Sequence, residues 1–338
     1  MLHLDRGRRY SIKFDMFFCR FSMSVYTPLS LKEVQSFAAP YGLKVQELIP
    51  IQGGIQNTNY FLVNEDGSQF VLTVFEEMNA AQAGELVPVL EHLGNAHLPV
   101  AVPLKQAEAA IGQIAGKPAQ IAPRLVGEHP IPANTAQTAE VARAQAKLHV
   151  ALQDFDFERQ SYRNHSYWSQ VAAELRPDMD VQDQLLLDSV FQQFEVFQAK
   201  YPQRPLGFIH SDLFRDNTLF EGDTLKGILD FYELNHDELL FDIAITINDF
   251  CSDYPAVKLD QTRVQAYLEN YQTVRMLTED EKACLPVYLA MAACRFWLMR
   301  LQVAQKNAQE QRGGEDILQK DPLEMRNMLQ NRLALIGK

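Results

Sequence analysis

The sequence predicts an α+β fold in two lobes: a small β-rich N-terminal lobe and a large helical C-terminal lobe with a hairpin embedded in it. Three observations carry this. Residues 45–125 hold short apolar runs separated by turn residues. Beyond about residue 135 the apolar residues fall at helical spacing. One β-like island, GFIHSDLFRDNTLFEGDTLKGILDFYE (207–233), breaks that helical pattern.

The elements follow in chain order. The first 22 residues, MLHLDRGRRYSIKFDMFFCRFS, are basic and aromatic with no clear period. Asp15 and Arg20 interrupt the apolar part and no small-residue cleavage site follows, so a signal peptide is not expected. A second methionine opens MSVYTPLSLKEV, and residues 1–22 are expected to be a loose arm or to precede a true start at Met23. Ser30 should cap a helix over LKEVQSFAAPYG, with Glu33 completing a capping box. Strands are expected at 58–63 and 69–75, joined by a turn at Asn64-Glu65-Asp66-Gly67, with a third near 119–125. A helix at 80–96 interrupts them and ends near Gly94-Asn95. The N-terminal lobe is thus 23–123, the hinge 124–129 and the C-terminal lobe 130–338. In that second lobe helices are expected over TAQTAEVARAQAKLHVAL, DQLLLDSVFQQFEVFQAKY, 262–275, 279–308 and 321–337. The hairpin strands lie around 217–221 and 225–229, joined by Glu221-Gly222-Asp223.

Composition narrows the function classes. The chain has 338 residues, a net charge of -12 and a pI near 5.2, which argues against general nucleic-acid binding. A local basic pocket for a phosphorylated ligand remains compatible with that charge. Cys19, Cys251, Cys284 and Cys294 show no metal-ligand spacing and read as reduced thiols of a cytoplasmic protein. The most apolar stretch, LPVYLAMAACRFWLMRL (285–301), carries Arg295 and Arg300 and is too short for a membrane span.

The island offers chemistry. A hairpin brings Asn217, at its start, close to Asp230, at its end. One Asn and one Asp are a plausible protein share of a Mg²⁺ shell that keeps waters and substrate phosphates. Asp212 could accept a hydroxyl proton as that oxygen attacks phosphorus. Protein kinases carry His-Arg-Asp, then an Asn, then Asp-Phe-Gly. Here the order is His210-Ser211-Asp212, Asn217 and Asp230-Phe231-Tyr232. The Ser and Tyr departures fit small-molecule kinases, which lack an activation loop. A bare Asp-Asn loop is more often an Asx turn; the ordered set of strand, loop, hairpin and carboxylate favours the kinase reading. His210 is read as a structural residue that orients the loop.

The chain resembles the aminoglycoside-phosphotransferase and choline-kinase-like superfamily, and within it the homoserine kinases of bacterial threonine biosynthesis. The residues that carry the likeness are GGIQNTNYF (53–61), FVLTVFE (70–76), HSDLFRDN (210–217), ILDFYE (228–233), FDIAITINDFC (241–251) and RFWLMRL (295–301). It runs from about Met23 almost to the C-terminus. It implies a protein-kinase-like two-lobed fold, ATP and Mg²⁺ as cofactors, and phosphorylation of L-homoserine. No nucleic-acid or membrane partner is expected, and the chain is expected to be a monomer or homodimer. Another small-molecule kinase of this fold, acting on choline, an aminoglycoside or a sugar derivative, is the alternative. A catalytically dead nucleotide-binding regulator is a second.

The resemblance makes Asp212 the catalytic base, Asn217 and Asp230 the Mg²⁺ ligands, and Asp242 a support for the catalytic loop; for Asp242 a helix N-cap is the plainer reading. It places Gly53, Gly54, Asn57, Thr58 and Asn59 in the phosphate-covering loop, where glycines let backbone approach phosphate. Thr73 stands where a kinase strand carries its phosphate-binding Lys. Lys117 is the candidate for the missing charge, with a solvated turn Lys as the alternative. Arg295 and Arg300, in an apolar helix, each need an acidic partner or a ligand. At least one is expected to face the acceptor, since guanidinium suits a carboxylate.

Overall fold

A computed structural model describes residues 27–51, 57–159, 163–309 and 320–337. The expected arm and the start at Met23 lie outside the described residues.

Helix α1 (Leu31–Ala38) begins as its sequence dictates: the Glu33 N–H donates to Ser30 Oγ at 3.3 Å, and Ser30 N–H donates to Glu33 Oε2 at 2.8 Å. Strands β1 (Val45–Pro50), β2 (Asn57–Asn64) and β3 (Gln69–Phe75) follow. The β2–β3 turn closes on Gly67, at φ +82°, whose N–H donates to the Asn64 carbonyl at 3.0 Å. The expected single helix over 80–96 is two, α2 (Ala80–Gly84) and α3 (Val87–Asn95). Pro88 has no N–H to offer the Gly84 carbonyl, which ends the first helix there. Strands β4 (Gly112–Ile114) and β5 (Lys117–Pro123) complete a five-stranded antiparallel sheet in the order β1-β2-β3-β5-β4.

Strand alternation sorts this sheet into two faces. Tyr60, Leu62, Leu72, Val74, Ala119 and Ile121 pack with Val34 and Ala38 of α1 in a small core. Asn57, Asn59, Phe61, Val71, Thr73 and Phe75 therefore take the opposite face.

The chain leaves β5 through residues 124–128. Glu128 and Phe220 exchange both backbone hydrogen bonds, at 2.8 Å each. Gly127 allows this approach: its φ is +128°, and a Cβ there would sit 2.8 Å from the Phe220 carbonyl oxygen.

The second part is helical. Helices α4 (Thr135–Ala151), α5 (His165–Leu175) and α6 (Val181–Lys200) lead to β6 (Leu206–Ile209) and to the hairpin β7 (Thr218–Glu221) and β8 (Thr224–Ile228). Strand β9 (Asn235–Glu238) pairs antiparallel with β6. Helix α7 (Leu239–Phe250) follows, with all of its residues buried. A two-residue pair, β10 (Ser252–Asp253) with β11 (Lys258–Leu259), precedes α8 (Gln261–Gln272), α9 (Glu279–Gln309) and α10 (Pro322–Leu333). Helix α9 exceeds the apolar run visible in the sequence. By length and composition it could cross a membrane, but 67% of its most apolar window is buried inside the protein. It packs there against α6, α7 and α10 as a core helix.

Candidate active site

The catalytic-loop candidate is built around Asp242. That residue lies inside the first turn of α7, whose N-cap position is Glu238, so the N-cap reading is replaced by a contact with the loop. Its carboxylate accepts the His210 N–H at 3.1 Å and the Ser211 N–H at 2.8 Å. It also takes a hydrogen bond from His149 Nε2 of α4 at 2.9 Å, and His149 Nδ1 lies 2.7 Å from the Tyr271 hydroxyl. Burial alone would raise the Asp242 pKa. The hydrogen bonds from His149 and Ser211 outweigh it and hold the carboxyl below its ordinary value. Ser211, anchored this way, sits at φ +68°, a left-handed conformation that costs a non-glycine residue about 1–3 kcal/mol.

His210 is fully buried and orients the loop from the other side. One tautomer satisfies both nitrogens: Nε2–H donates to the Leu229 carbonyl at 2.8 Å, and Nδ1 accepts the Asp212 N–H at 3.3 Å. Burial lowers the His210 pKa, which keeps this neutral form. The imidazole thereby ties the loop to the strand that delivers Asp230.

The hairpin does what its sequence suggested geometrically. The Leu229 N–H donates to the Asn217 carbonyl at 2.9 Å, so Asn217 and Asp230 flank one another. The Asn217 Nδ2 donates to the Asp212 carbonyl at 2.7 Å and to Asp212 Oδ2 at 2.9 Å. With its nitrogen committed, Asn217 has its amide oxygen to offer a cation. Asp212 is pushed up to about 8, first by burial and then by the negative charges of Asp230 and Asp216. Burial also raises Asp230. This crowding of carboxylates, with only oxygen donors, suits a hard divalent cation. Among the described residues no group of three or more His, Cys, Asp or Glu forms a metal cage. Water and phosphate oxygens would therefore fill the rest of the shell, which is how Mg²⁺ is usually held.

The sheet supplies the roof. Phe75 meets Tyr232 edge to face at 6.4 Å, so the Thr73 face of the sheet looks toward the Asp230 segment. On it, Thr73 Oγ1 donates to Asn59 Oδ1 at 2.8 Å, and Asn57 shares the same face. Gly53 and Gly54 lie outside the described residues. Strand alternation puts two of the expected nucleotide contacts on the other face of the sheet. Thr58 and Lys117 are on the α1 side: Thr58 Oγ1 donates to Glu76, and Lys117 Nζ pairs with Glu76 and donates to Thr27 Oγ1 at 2.9 Å. Lys117 is thus an ion-paired strand residue on the sheet face away from Thr73. A cation that sequence reasoning missed, Arg159, donates to the Leu234 carbonyl at 2.7 Å and the Tyr232 carbonyl at 2.9 Å. Its Nε lies 3.6 Å from Glu85, between α2 and α3.

A cavity of about 950 Å³ opens beside the loop, with Phe214, Arg215 and Asp216 in its wall. The two arginines of α9 part company here. Arg300 lines the cavity and donates through Nη1 to the Asp321 carbonyl at 2.7 Å and Glu324 Oε1 at 3.0 Å. Arg295 is outside its lining: it lies 3.3 Å over the Phe241 ring and donates to Asp237 at 3.1 Å. In place of a contact with that cavity it has a buried ion pair, with its Nε and Nη2 making no hydrogen bond among the described residues. Two further wall pairs have no local signature along the chain, Arg215 with Asp249 at 2.9 Å and Lys320 with Asp216 at 2.7 Å. Their partners are 34 and 104 residues apart, beyond any local pattern.

Comparisons with known proteins give the family and the fold. The phosphotransferase enzyme family matches residues 47–277. A homoserine kinase of Methylobacillus flagellatus is 36% identical over 319 residues, which are 92% of this chain and 96% of that relative. One of Cupriavidus pinatubonensis is 35% identical over 93% of this chain and 97% of its own. Among solved structures, a choline/ethanolamine kinase family protein from Mesorhizobium loti superposes with a TM-score of 0.62 at 15% identity, covering 90% of this chain and 95% of that one. An amicoumacin kinase complexed with AMP-PNP and Ca²⁺ gives 0.60 at 17% identity, covering 91% and 93%. At such identity these two show the fold alone.

Proposed function

The chain belongs to the phosphotransferase enzyme family, and on that premise we propose the reaction it performs: transfer of the γ-phosphoryl group of ATP to the side-chain hydroxyl of L-homoserine. The product is O-phospho-L-homoserine, of threonine biosynthesis. The observation that carries the reaction type is the Asp212–Asn217–Asp230 constellation, locked by His210 and Asp242. The relatives named homoserine kinase, matched over nearly their whole length, carry the acceptor.

The homoserine hydroxyl approaches Asp212. As its oxygen forms a bond to the γ-phosphorus, its proton passes to an Asp212 carboxylate oxygen and ADP leaves. Asn217 and Asp230 would hold Mg²⁺, which when bound neutralises phosphate charge. Asn217 Nδ2 orients the Asp212 carboxylate at the same time. Asn57, Asn59 and Thr73 offer polar groups to the phosphates from the sheet. Arg300 directs its remaining guanidinium nitrogens toward the acceptor carboxylate.

The alternative acceptors are weighed by the cavity's charges. Asp216, Asp249, Asp253, Asp260, Asp321 and Glu324 outnumber Arg215, Arg263, Arg300 and Lys320 in its wall, six to four, an excess that by itself suits a polycationic aminoglycoside. Pairing engages five of the six carboxylates, though a surplus of two negative charges remains. Asp249 is held by Arg215, Asp253 and Asp260 by Arg263, Glu324 by Arg300 and Asp216 by Lys320. Asp321 caps α10 through the Leu323 N–H at 2.9 Å. Carboxylates already engaged in this way are less open to a polycation, and the cations among them suit an acceptor that carries a carboxylate.

The test is Mg·ATP-dependent ADP release with L-homoserine, L-serine, choline, kanamycin or no acceptor. Stimulation by L-homoserine is expected. Turnover with another acceptor alone would overturn the substrate, and ATP binding without turnover would favour a dead regulator.

A further inference from the structure

We propose that the Lys320–Asp216 pair reads the zwitterionic head of the acceptor: the ammonium takes Asp216, the carboxylate takes Lys320, and the substrate enters by inserting into this ion pair. The inference rests on the homoserine kinase reading and deepens it.

Among the charged pairs of the cavity wall, this one is built to open. Arg215 and Asp249 are each only 11% exposed and meet through two parallel contacts, 2.9 and 3.2 Å, with the Arg215 N–H adding a third at 2.7 Å. Arg263, 7% exposed, is held by Asp253, Asp260 and the Phe250 carbonyl at once. Separating either pair would strand a buried charge. Lys320 and Asp216 are 58% and 44% exposed and share a single contact. An exposed pair of this kind contributes at most about 1 kcal/mol, so a ligand can displace it cheaply.

Its place fits the chemistry. Asp216 is on the same loop as Asp212, and Lys320 lies 5.6 Å from the Phe214 ring in that loop. Lys320 also adjoins Asp321, whose carbonyl holds Arg300, so a carboxylate between the two cations would be met from both sides. Insertion exchanges one ion pair for two and leaves the net charge of the wall unchanged. An acceptor with only an ammonium strands the lysine, and one with only a carboxylate strands the aspartate, which makes the pair a filter against both.

The experiment compares kcat/KM for L-homoserine, 3-amino-1-propanol (no carboxylate) and 4-hydroxybutyrate (no ammonium) in the wild type, Lys320→Met and Asp216→Asn, with circular-dichroism melts confirming that the variants fold. Each analogue should lose on the order of tenfold to a hundredfold in the wild type, the worth of a hydrogen bond to a charged group. Lys320→Met should raise the homoserine KM by a similar factor with little change in kcat, and should erase most of the penalty against 3-amino-1-propanol only. Asp216→Asn should do the same for 4-hydroxybutyrate only. A purely structural pair would shift all three substrates together, and that result overturns the inference. So does equal use of the three substrates by the wild type, which decides the matter even where a variant fails to fold. Failure of the wild type to turn over L-homoserine would instead bring down the functional reading on which the inference rests.

Discussion

Replacing Asp242 with Asn tests whether the buried carboxylate sets the catalytic loop. Asp242 accepts three hydrogen bonds, from the His210 and Ser211 backbones and from His149, and is wholly buried. The amide keeps one oxygen and turns an N–H toward at least one of these donors. A hydrogen bond to a charged group contributes about 1.5–3 kcal/mol, so losing one and weakening the others should cost about 3–5 kcal/mol. Out of a total of about 5–15 kcal/mol that leaves a folded but weakened protein. The functional cost is separate. Without its anchor, Ser211 can relax from φ +68° and swing Asp212 with it. A displacement of about 1 Å at a reacting group can cost on the order of 100-fold in rate. Urea unfolding followed by circular dichroism gives the first quantity, and ADP release at saturating ATP and L-homoserine gives the second. A variant that loses the stability yet keeps kcat within about threefold of wild type would refute the view that Asp242 positions Asp212.

Other expectations are simpler. Asp212→Asn should lower kcat by about 10²–10⁴ with ATP affinity retained, measured by calorimetry beside turnover. Lys117→Met should cost about 1 kcal/mol of stability, since the ion pair is partly exposed, and leave the KM for ATP unchanged because it faces away from Thr73. Gly127→Ala should destabilise by about 1–3 kcal/mol, read from the urea midpoint, because its new methyl meets the Phe220 backbone. The pH dependence of stability should carry the mark of Asp242, whose folded pKa lies below its ordinary 3.8. Its contribution is complete above that value and is lost as pH falls through the folded one. The stability gap between wild type and Asp242→Asn should accordingly hold near neutral pH and narrow in acid.

Much of the molecule was legible in the chain because local chemistry and tertiary need coincide there. Ser30 and Glu33 cap a helix wherever they fall at that spacing, and Gly67 and Gly222 close hairpins because their φ is positive. The loop from His210 to Asp230 was readable because its parts are near in sequence. What escaped was set by distant contacts. Strand β1 exposes five of its six residues at least partly in no alternating order, and β6 and β9 are four-residue pieces that pair across 31 intervening positions or fewer. The faces of the sheet misled in another way: GGIQNTN and GKPAQ offer polar residues, but only the pairing of β2, β3 and β5 decides which of them look down. Arg295 and Arg300 sit on one apolar helix, and their different fates depend on what packs around each turn.

Arg159 has a consequence for how the two lobes communicate. Its one planar group holds two peptide carbonyls around the metal segment and, more loosely, a carboxylate of the upper lobe. Such a joint makes tilt of the upper lobe and the setting of the Asp230 segment variables of one equilibrium. By thermodynamic reciprocity, whatever seats the roof firms the segment beneath it, and a cation that firms the segment draws the roof down by the same free energy. A chain with threonine at position 73 thus has a guanidinium link between the sheet side and the Asp230 segment, reached from residue 159.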